Sequence, residues 1–136
     1  MAHGDVELFS LCGGRNKAKI PAELAAALEK LISLELPVVV EGKRDAEALI
    51  AIGVPRHRIF LAAQKPLAAL LERLRKNGIS EIIDMFDADA AGRKKSSALY
   101  AAAGKIKINR SLKKIILTQI NSKKVEDLLN FLEKNS

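Results

Sequence analysis

The sequence predicts an α/β protein of Rossmann-like architecture, with a mainly parallel four-stranded sheet flanked by helices. Short apolar runs rich in Val and Ile alternate with segments of helical periodicity along most of the 136 residues. Gly, Pro or Asn-Gly separates most of these segments, as is typical of element boundaries. Strands that alternate with helices of this length form right-handed crossovers, and therefore a parallel sheet. Aromatic residues make up only 4% of the chain, so aliphatic side chains are expected to fill the core.

The first 35 residues are predicted to be an N-terminal arm and a helix that packs on the core. Residues 1–19 are expected to form a loose arm with a short strand at 6–11. Pro21 opens the helix, because proline loses no hydrogen bond at an early helical position. Pro37 ends it, and the main domain is predicted to span residues 36–136.

Strands and helices then alternate along the main domain. Strands are predicted at Val38–Val40, 59–63, 81–86 and within 113–120, and helices at 45–52, 66–76, 90–103 and 122–134. If the first and third strands are neighbours, the strand order is 2-1-3-4 and the chain changes direction between them. The crevice at that switch point is the expected ligand site.

The positive charge of the chain is concentrated in its last third. The net charge is +7; residues 1–92 carry 12 basic and 13 acidic side chains, whereas residues 93–136 carry 11 basic and 3 acidic ones. A one-sided basic surface fits a polyanion such as nucleic acid. We favour this interpretation over a solvated lysine-rich surface. The residues expected to bind nucleic acid are Lys43, Arg44, Arg93, Lys94, Lys95, Lys105, Lys107 and Arg110.

Cysteine usage and hydropathy indicate a cytoplasmic protein without a membrane partner. No apolar stretch approaches the roughly 20 residues of a membrane span, and the first residues lack the charged-then-apolar order of a signal peptide. Cys12 is the single cysteine, which excludes an internal disulfide and a multi-cysteine zinc site. His3 and His57 lack metal-ligand spacing.

Two acidic motifs follow predicted strands and mark the expected site. Glu41 and Gly42 follow the first strand, and Asp87, Asp89 and Gly92 follow the third. If these strands are neighbours, the carboxylates converge at the carboxyl edge of the sheet. Carboxylate oxygens suit a hard cation, so the three acids predict a Mg²⁺ site, with Mn²⁺ as the alternative ion. The two glycines are interpreted as structural turn residues.

Four residues near these motifs have structural interpretations. Asp45 is expected to be the N-cap of the next helix rather than a metal ligand, and Asp89 has the alternative role of capping the helix that follows it. Asp84 lies inside the third strand, where a buried charge is costly, so it either faces solvent or pairs with a lysine. Tyr100 is interpreted as a packing residue in the middle of a helix.

The two motifs resemble those of the Toprim domain family. The resemblance rests on Glu41-Gly42 after an apolar strand and on the run Asp87-Ala88-Asp89-Ala90-Ala91-Gly92, and it covers about residues 36–120. This domain is shared by bacterial-type primases, topoisomerases and several nucleases. The sequence EGKRD at 41–45 is most similar to that of the ribosomal-RNA maturation nucleases and small stand-alone Toprim proteins. The resemblance implies that Glu41 is a catalytic acid/base and that Asp87 and Asp89 are catalytic Mg²⁺ ligands.

The expected function is Mg²⁺-dependent hydrolysis or phosphotransfer at phosphodiester bonds of nucleic acid, with RNA favoured over DNA. Ala88 replaces the proline that the maturation nucleases tend to have, which leaves the substrate open. A non-catalytic nucleic-acid- or ribosome-binding module is the alternative. A haloacid-dehalogenase-like phosphatase ranks lower, because that family places its Asp-x-Asp near the first strand. A protein partner and the oligomeric state stay open.

Overall fold

A computed structural model describes residues 20–135 of the chain. The predictions for the arm, its strand at 6–11, His3 and Cys12 lie outside these residues. The strands are β1 (Val38–Val40), β2 (Ile59–Leu61), β3 (Glu81–Asp84) and β4 (Lys107–Asn109). The helices are α1 (Ala22–Ser33), α2 (Lys43–Ile52), α3 (Leu67–Lys76), α4 (Ala90–Ala102), α5 (Ser111–Gln119) and α6 (Asp127–Lys134).

The four strands form one parallel sheet in the order β2-β1-β3-β4. Val38 of β1 lies opposite Ile59 of β2 on one side and opposite Ile83 of β3 on the other. The predicted neighbours 2-1-3 are therefore confirmed, and the chain changes direction between β1 and β3; the fourth position is taken by a strand that lies earlier in the chain than predicted. The segments that follow β1 and β3 therefore start at the switch point of the sheet.

Helices cover both faces of the sheet, which explains why its central strands are apolar on both sides. Val38 and Val40 pack against α1, α2, α5 and α6 on one face. Val39 and Ile82 pack against α3 and α4 on the other. Successive strand residues point to opposite faces, so the all-valine β1 contributes to both cores and is fully buried.

The prediction of a fourth strand within 113–120 is wrong, because these residues belong to helix α5 and strand β4 lies earlier. Leu112, Ile116 and Ile120 are buried at four-residue spacing, while Ile115 remains 38% exposed, which is the pattern of one helical face. β4 is a three-residue edge strand with a single apolar residue, Ile108. So short a strand leaves no period-two signal in the sequence.

Several boundaries also differ from the prediction. β2 and β3 each end two residues earlier than expected, and α2 begins at Lys43. Helix α6 begins at Asp127, five residues after the predicted start at Ser122. The Ser122 hydroxyl instead donates to Oδ2 of Asp127 at 2.7 Å and accepts from the Lys124 N–H at 3.0 Å. It closes the turn that precedes the helix.

Arg58 fastens the end of α1 to the sheet. Its guanidinium donates to the carbonyl oxygens of Leu31, Ile32 and Leu36 at 3.0, 2.9 and 2.8 Å. The last carbonyls of a helix have no partner within the helix, and Arg58 supplies three donors to this region. The side chain is buried, and burial lowers the pKa of the guanidinium.

No helix among the described residues is long and apolar enough to cross a membrane.

Candidate metal site and nucleic-acid interface

The acidic residues of the two motifs lie at the same edge of the sheet. Glu41 follows β1 directly, and Asp87 follows β3 after two buried residues, Met85 and Phe86. β1 and β3 are hydrogen-bonded neighbours that run in the same direction. A separation of 46 positions in the sequence thus becomes a position on adjacent strands, as the strand order predicts.

A second loop, residues 121–125, holds the acidic loop (residues 87–89) in place; we call it the clamp loop. The Ala88 N–H donates to the Lys123 carbonyl oxygen at 2.7 Å, and the Val125 N–H donates to Oδ1 of Asp87 at 2.8 Å. The hydrogen bond between Asp87 and Val125 joins positions 38 residues apart. No local pattern in the sequence predicts a hydrogen bond over this distance. The clamp loop was therefore not among the predicted site residues.

Asp89 is both the N-cap of α4 and one half of an ion pair. Its Oδ1 accepts from the Gly92 N–H at 2.8 Å, and its Oδ2 lies 3.1 Å from the ammonium of Lys124 in the clamp loop. The Gly92 N–H and then Lys124 lower the pKa of Asp89. Asp89 is therefore held in its charged form by groups of the protein itself.

The two motif glycines have different environments. A Cβ at Gly92 would overlap the carbonyl oxygen of Asp87 and would lie 2.5 Å from its carbonyl carbon. Gly92 is thus required by the close approach of α4 to the acidic loop. Gly42 has an extended backbone with φ −152°, and a Cβ there would meet nothing within 4 Å. Its position does not demand glycine, so the interpretation as a turn glycine is not supported there.

Asp45 caps α2 from inside the helix, which corrects its predicted position. The N-cap residue is Gly42, and Asp45 is the third helical residue. Its Oδ2 accepts from the Gly42 N–H at 3.4 Å, which is the reciprocal half of a capping box. Burial raises the pKa of Asp45 to about 6, and the charge of Asp87 adds to this effect.

Asp87 is a half-buried carboxylate with other acids nearby. Burial raises the pKa of Asp87, the Val125 N–H opposes this shift, and the charges of Asp89 and Glu126 reinforce it. Glu126 was not predicted as a site residue. The sequence could have indicated Glu126, since Glu126 and Asp127 are two of only three acids in the basic segment 93–136.

Glu41 is paired with a lysine from the first turns of α4. The ammonium of Lys95 lies 3.4 Å from Oε1 of Glu41, and both side chains are partly exposed. Oε1 itself is shielded from solvent and accepts no hydrogen bond from the described residues. The distance satisfies an ion pair, whereas the orientation does not satisfy a hydrogen bond. An acceptor in this state has unused capacity for a cation or a proton.

The carboxylate oxygens of the site suit a hard cation, but the described residues are not arranged as one complete metal site. Glu41, Asp87 and Asp89 offer carboxylate oxygens, which Mg²⁺ prefers. Within residues 20–135, no group of three or more Asp, Glu, His or Cys side chains is arranged to hold a metal ion. The ammonium groups of Lys95 and Lys124 stand beside two of these carboxylates. In this arrangement lysines supply the positive charge.

Asp84 is fully buried and pairs with a lysine, which is one of the two options left open by the sequence. Its Oδ1 lies 3.1 Å from the ammonium of Lys113 and accepts from the Phe86 N–H at 2.8 Å. Its Oδ2 accepts from the Ser96 hydroxyl at 2.7 Å, and Lys113 also donates to that hydroxyl at 2.8 Å. Every oxygen of the buried carboxylate is satisfied, so the charge is tolerated inside the sheet.

The predicted nucleic-acid-binding residues divide between the two edges of the sheet. Lys43 and Arg44 begin α2, and Arg93, Lys94 and Lys95 lie in the first turns of α4, so these five are at the acidic edge. Arg110 follows β4 at that same edge. Lys107 opens β4, opposite Glu81 at the start of β3, and Lys105 precedes it. These two lysines therefore lie toward the amino-terminal ends of the strands and do not border Glu41, Asp87 or Asp89.

Tyr100 is not a packing residue, which corrects the sequence interpretation. It is 60% exposed on α4. The guanidinium carbon of Arg110 lies 4.7 Å from the centroid of its ring, a distance typical of a cation–π contact.

The fold and the acidic edge define a parallel, Rossmann-like α/β protein with a polar site at its switch point. A UPF0292 protein of Methanocaldococcus jannaschii is 31% identical to the chain over 110 residues, which cover 77% of this chain and 84% of that relative. The chain therefore belongs to the UPF0292 family. No family model matches the sequence.

A solved structure shows the same fold at low sequence identity. A protein from Aquifex aeolicus superimposes with a TM-score of 0.66 at 20% identity, and the match covers 79% of this chain and 99% of that one. At this identity the likeness concerns the fold alone. It supports the α/β architecture with a parallel four-stranded sheet.

Proposed function

We propose that this protein is a Mg²⁺-dependent hydrolase of phosphodiester bonds in nucleic acid, of the Toprim type, with RNA favoured over DNA. One observation carries the proposal: Glu41 and Asp87 leave neighbouring parallel strands at the switch point, where α/β proteins bind their ligands. The environment of Asp87 supports it, because burial and the nearby charges of Asp89 and Glu126 disfavour its free charged form and so favour a bound cation or proton. We also propose a cytoplasmic location, which the single cysteine supports.

The roles of the residues follow from their chemistry. Asp87 and Asp89 would hold the metal ion, which when bound supplies positive charge to the phosphate and lowers the pKa of water. Glu41 would transfer the proton, since its Oε1 has no hydrogen-bond donor among residues 20–135. Lys95 and Lys124 would have to leave Glu41 and Asp89 when the metal enters, and the exposed pair of Lys124 with Asp89 would separate at low cost.

A non-catalytic nucleic-acid- or ribosome-binding module is the second candidate. It is favoured by the arrangement that the structure shows, in which lysines neutralise Glu41 and Asp89 and no three described acids share a metal position. Such a module would keep the basic residues beside the sheet edge and use the acids only to hold loops and caps.

Cleavage of labelled RNA and DNA strands, with Mg²⁺ and with EDTA, separates the two candidates. We expect Mg²⁺-dependent cleavage by the wild type, and a loss of about 100-fold or more in Glu41→Gln, Asp87→Asn and Asp89→Asn. Glu72→Gln is the matched control, because Glu72 is an exposed carboxylate on α3 whose ion pair within residues 20–135 is with its helical neighbour Arg75. A wild type that binds nucleic acid without cleaving it would establish the non-catalytic module instead.

A further inference from the structure

A basic, open cavity of about 600 Å³ adjoins the acidic loop. Residues of α4, α5 and the clamp loop line it, and Ala88 of the acidic loop forms part of its wall. The cations that line it are Arg93, Lys113, Lys114 and Lys123. Three of these four were not among the residues that the sequence predicted to bind nucleic acid.

Lys113 is the fixed cation of this cavity. Its side chain is only 12% exposed, and it is held by Asp84 at 3.1 Å and by the Ser96 hydroxyl at 2.8 Å. An ammonium group has three N–H donors, and among residues 20–135 only these two side chains accept from it. Lys113 therefore differs from a solvated surface lysine, because it lines the cavity while its ammonium is anchored by a buried carboxylate.

The other three cations carry charge that the described part of the protein does not neutralise. Arg93, Lys114 and Lys123 are exposed and form no ion pair within residues 20–135. Lys95 and Lys124, at the neighbouring acidic site, are by contrast paired with carboxylates. Unpaired like charges around one concavity repel one another, so an anion in the cavity would be stabilised by all of them.

We propose that this cavity binds a backbone phosphate of a single nucleic-acid strand, next to the phosphate that the acidic loop would act on. The cations of the cavity specify an anion, and the choice of a backbone phosphate rests on the proposed function. Ala88 links the two places, because it lines the cavity and stands between Asp87 and Asp89. Thr118 and Asn121 add neutral hydrogen-bonding groups to the wall, as is usual where proteins contact phosphate and sugar.

The test is the salt dependence of RNA binding, measured by fluorescence anisotropy in EDTA so that no cleavage occurs. The double variant Lys114→Gln/Lys123→Gln should flatten the slope of log K against log salt by about 0.7 for each phosphate that a lysine no longer neutralises. Lys76→Gln is the matched control, because Lys76 is an exposed lysine at the end of α3, far from the acidic edge. Neither variant changes a buried side chain. An unchanged slope in the double variant would overturn the proposal.

Two further arms separate the sources of phosphate and the two proposals. Inorganic phosphate and a mononucleotide should compete only weakly with the RNA strand; displacement of the strand by either at comparable concentration would overturn the assignment to a polymer. If the slope flattens but the wild type does not cleave, the cavity stands and the proposed hydrolysis fails. If the wild type cleaves and the double variant binds and cleaves like the control, the hydrolysis stands and the cavity fails.

Discussion

Asp45 shows how a single buried acid couples the site to the stability of the fold. Its pKa in the folded protein is about 6 because it is buried near Asp87, Glu126 and Glu41, whereas an aspartate in an unfolded chain has a pKa of about 3.9. Between these two values the folded state binds more protons than the unfolded state. The contribution of Asp45 to stability is therefore present at low pH and is lost as the pH rises from about 4 to about 6.

The variant Asp45→Asn should be more stable than the wild type at neutral pH and equally stable near pH 4. Asparagine carries no charge, and its side-chain oxygen can still accept from the Gly42 N–H. The gain at neutral pH should be about 1–3 kcal/mol, since one pKa unit corresponds to roughly 1.4 kcal/mol. Urea unfolding at both pH values measures it. An equal difference at the two pH values would show that the charge of Asp45 is not responsible.

The two motif glycines provide a matched pair of substitutions. Gly92→Ala should destabilise the protein by about 1–3 kcal/mol, because the new methyl group would overlap the Asp87 backbone. The better helix propensity of alanine offsets only about 1 kcal/mol of this. Gly42→Ala should cost less than about 1 kcal/mol, because its Cβ would enter open space at an N-cap. Comparable losses at both positions in urea unfolding would contradict this assignment.

At the scale of elements, the attachment of α1 to the sheet depends on Arg58. We expect Arg58→Lys to cost about 1–3 kcal/mol, because an ammonium group cannot reproduce the planar fork that serves three carbonyl oxygens, and a carbonyl left without a donor is penalised. Arg56→Lys is the control, since Arg56 is exposed in the same turn. Thermal unfolding of the two variants should differ clearly, and equal melting temperatures would assign the stability to packing alone.

The alternation of elements was predictable because it depends on local patterns, whereas the clamp loop was not. The valine run of β1 and the leucine spacing of α3 are visible in short windows, and such patterns suffice to predict that strands and helices alternate. β4 was not predicted, because its three residues at a sheet edge need little apolar character. The hydrogen bonds of Lys113 with Asp84 and of Val125 with Asp87 cross 29 and 38 positions, so only the folded chain reveals them.

For the molecule as a whole, the distribution of charge sets acid and base side by side at one edge of the sheet. The acidic loop and Glu41 hold the negative groups, and α4, α5 and the clamp loop bring the positive ones. Lys95 and Lys124 bridge the two regions through their ion pairs. This arrangement makes the lysines competitors of any cation that binds the carboxylates.

Removal of such a competitor should therefore strengthen Mg²⁺ binding. Without Mg²⁺, Lys124→Gln should leave the melting temperature close to that of the wild type, because its pair with Asp89 is exposed. With Mg²⁺, the melting temperature of the variant should rise at lower metal concentration than that of the wild type, because a ligand that binds only the folded state stabilises it. Lys76→Gln should behave like the wild type. If Mg²⁺ shifts none of these melting temperatures, the acidic edge does not bind the ion, and the carboxylates serve the loops and caps that they hold in the structure.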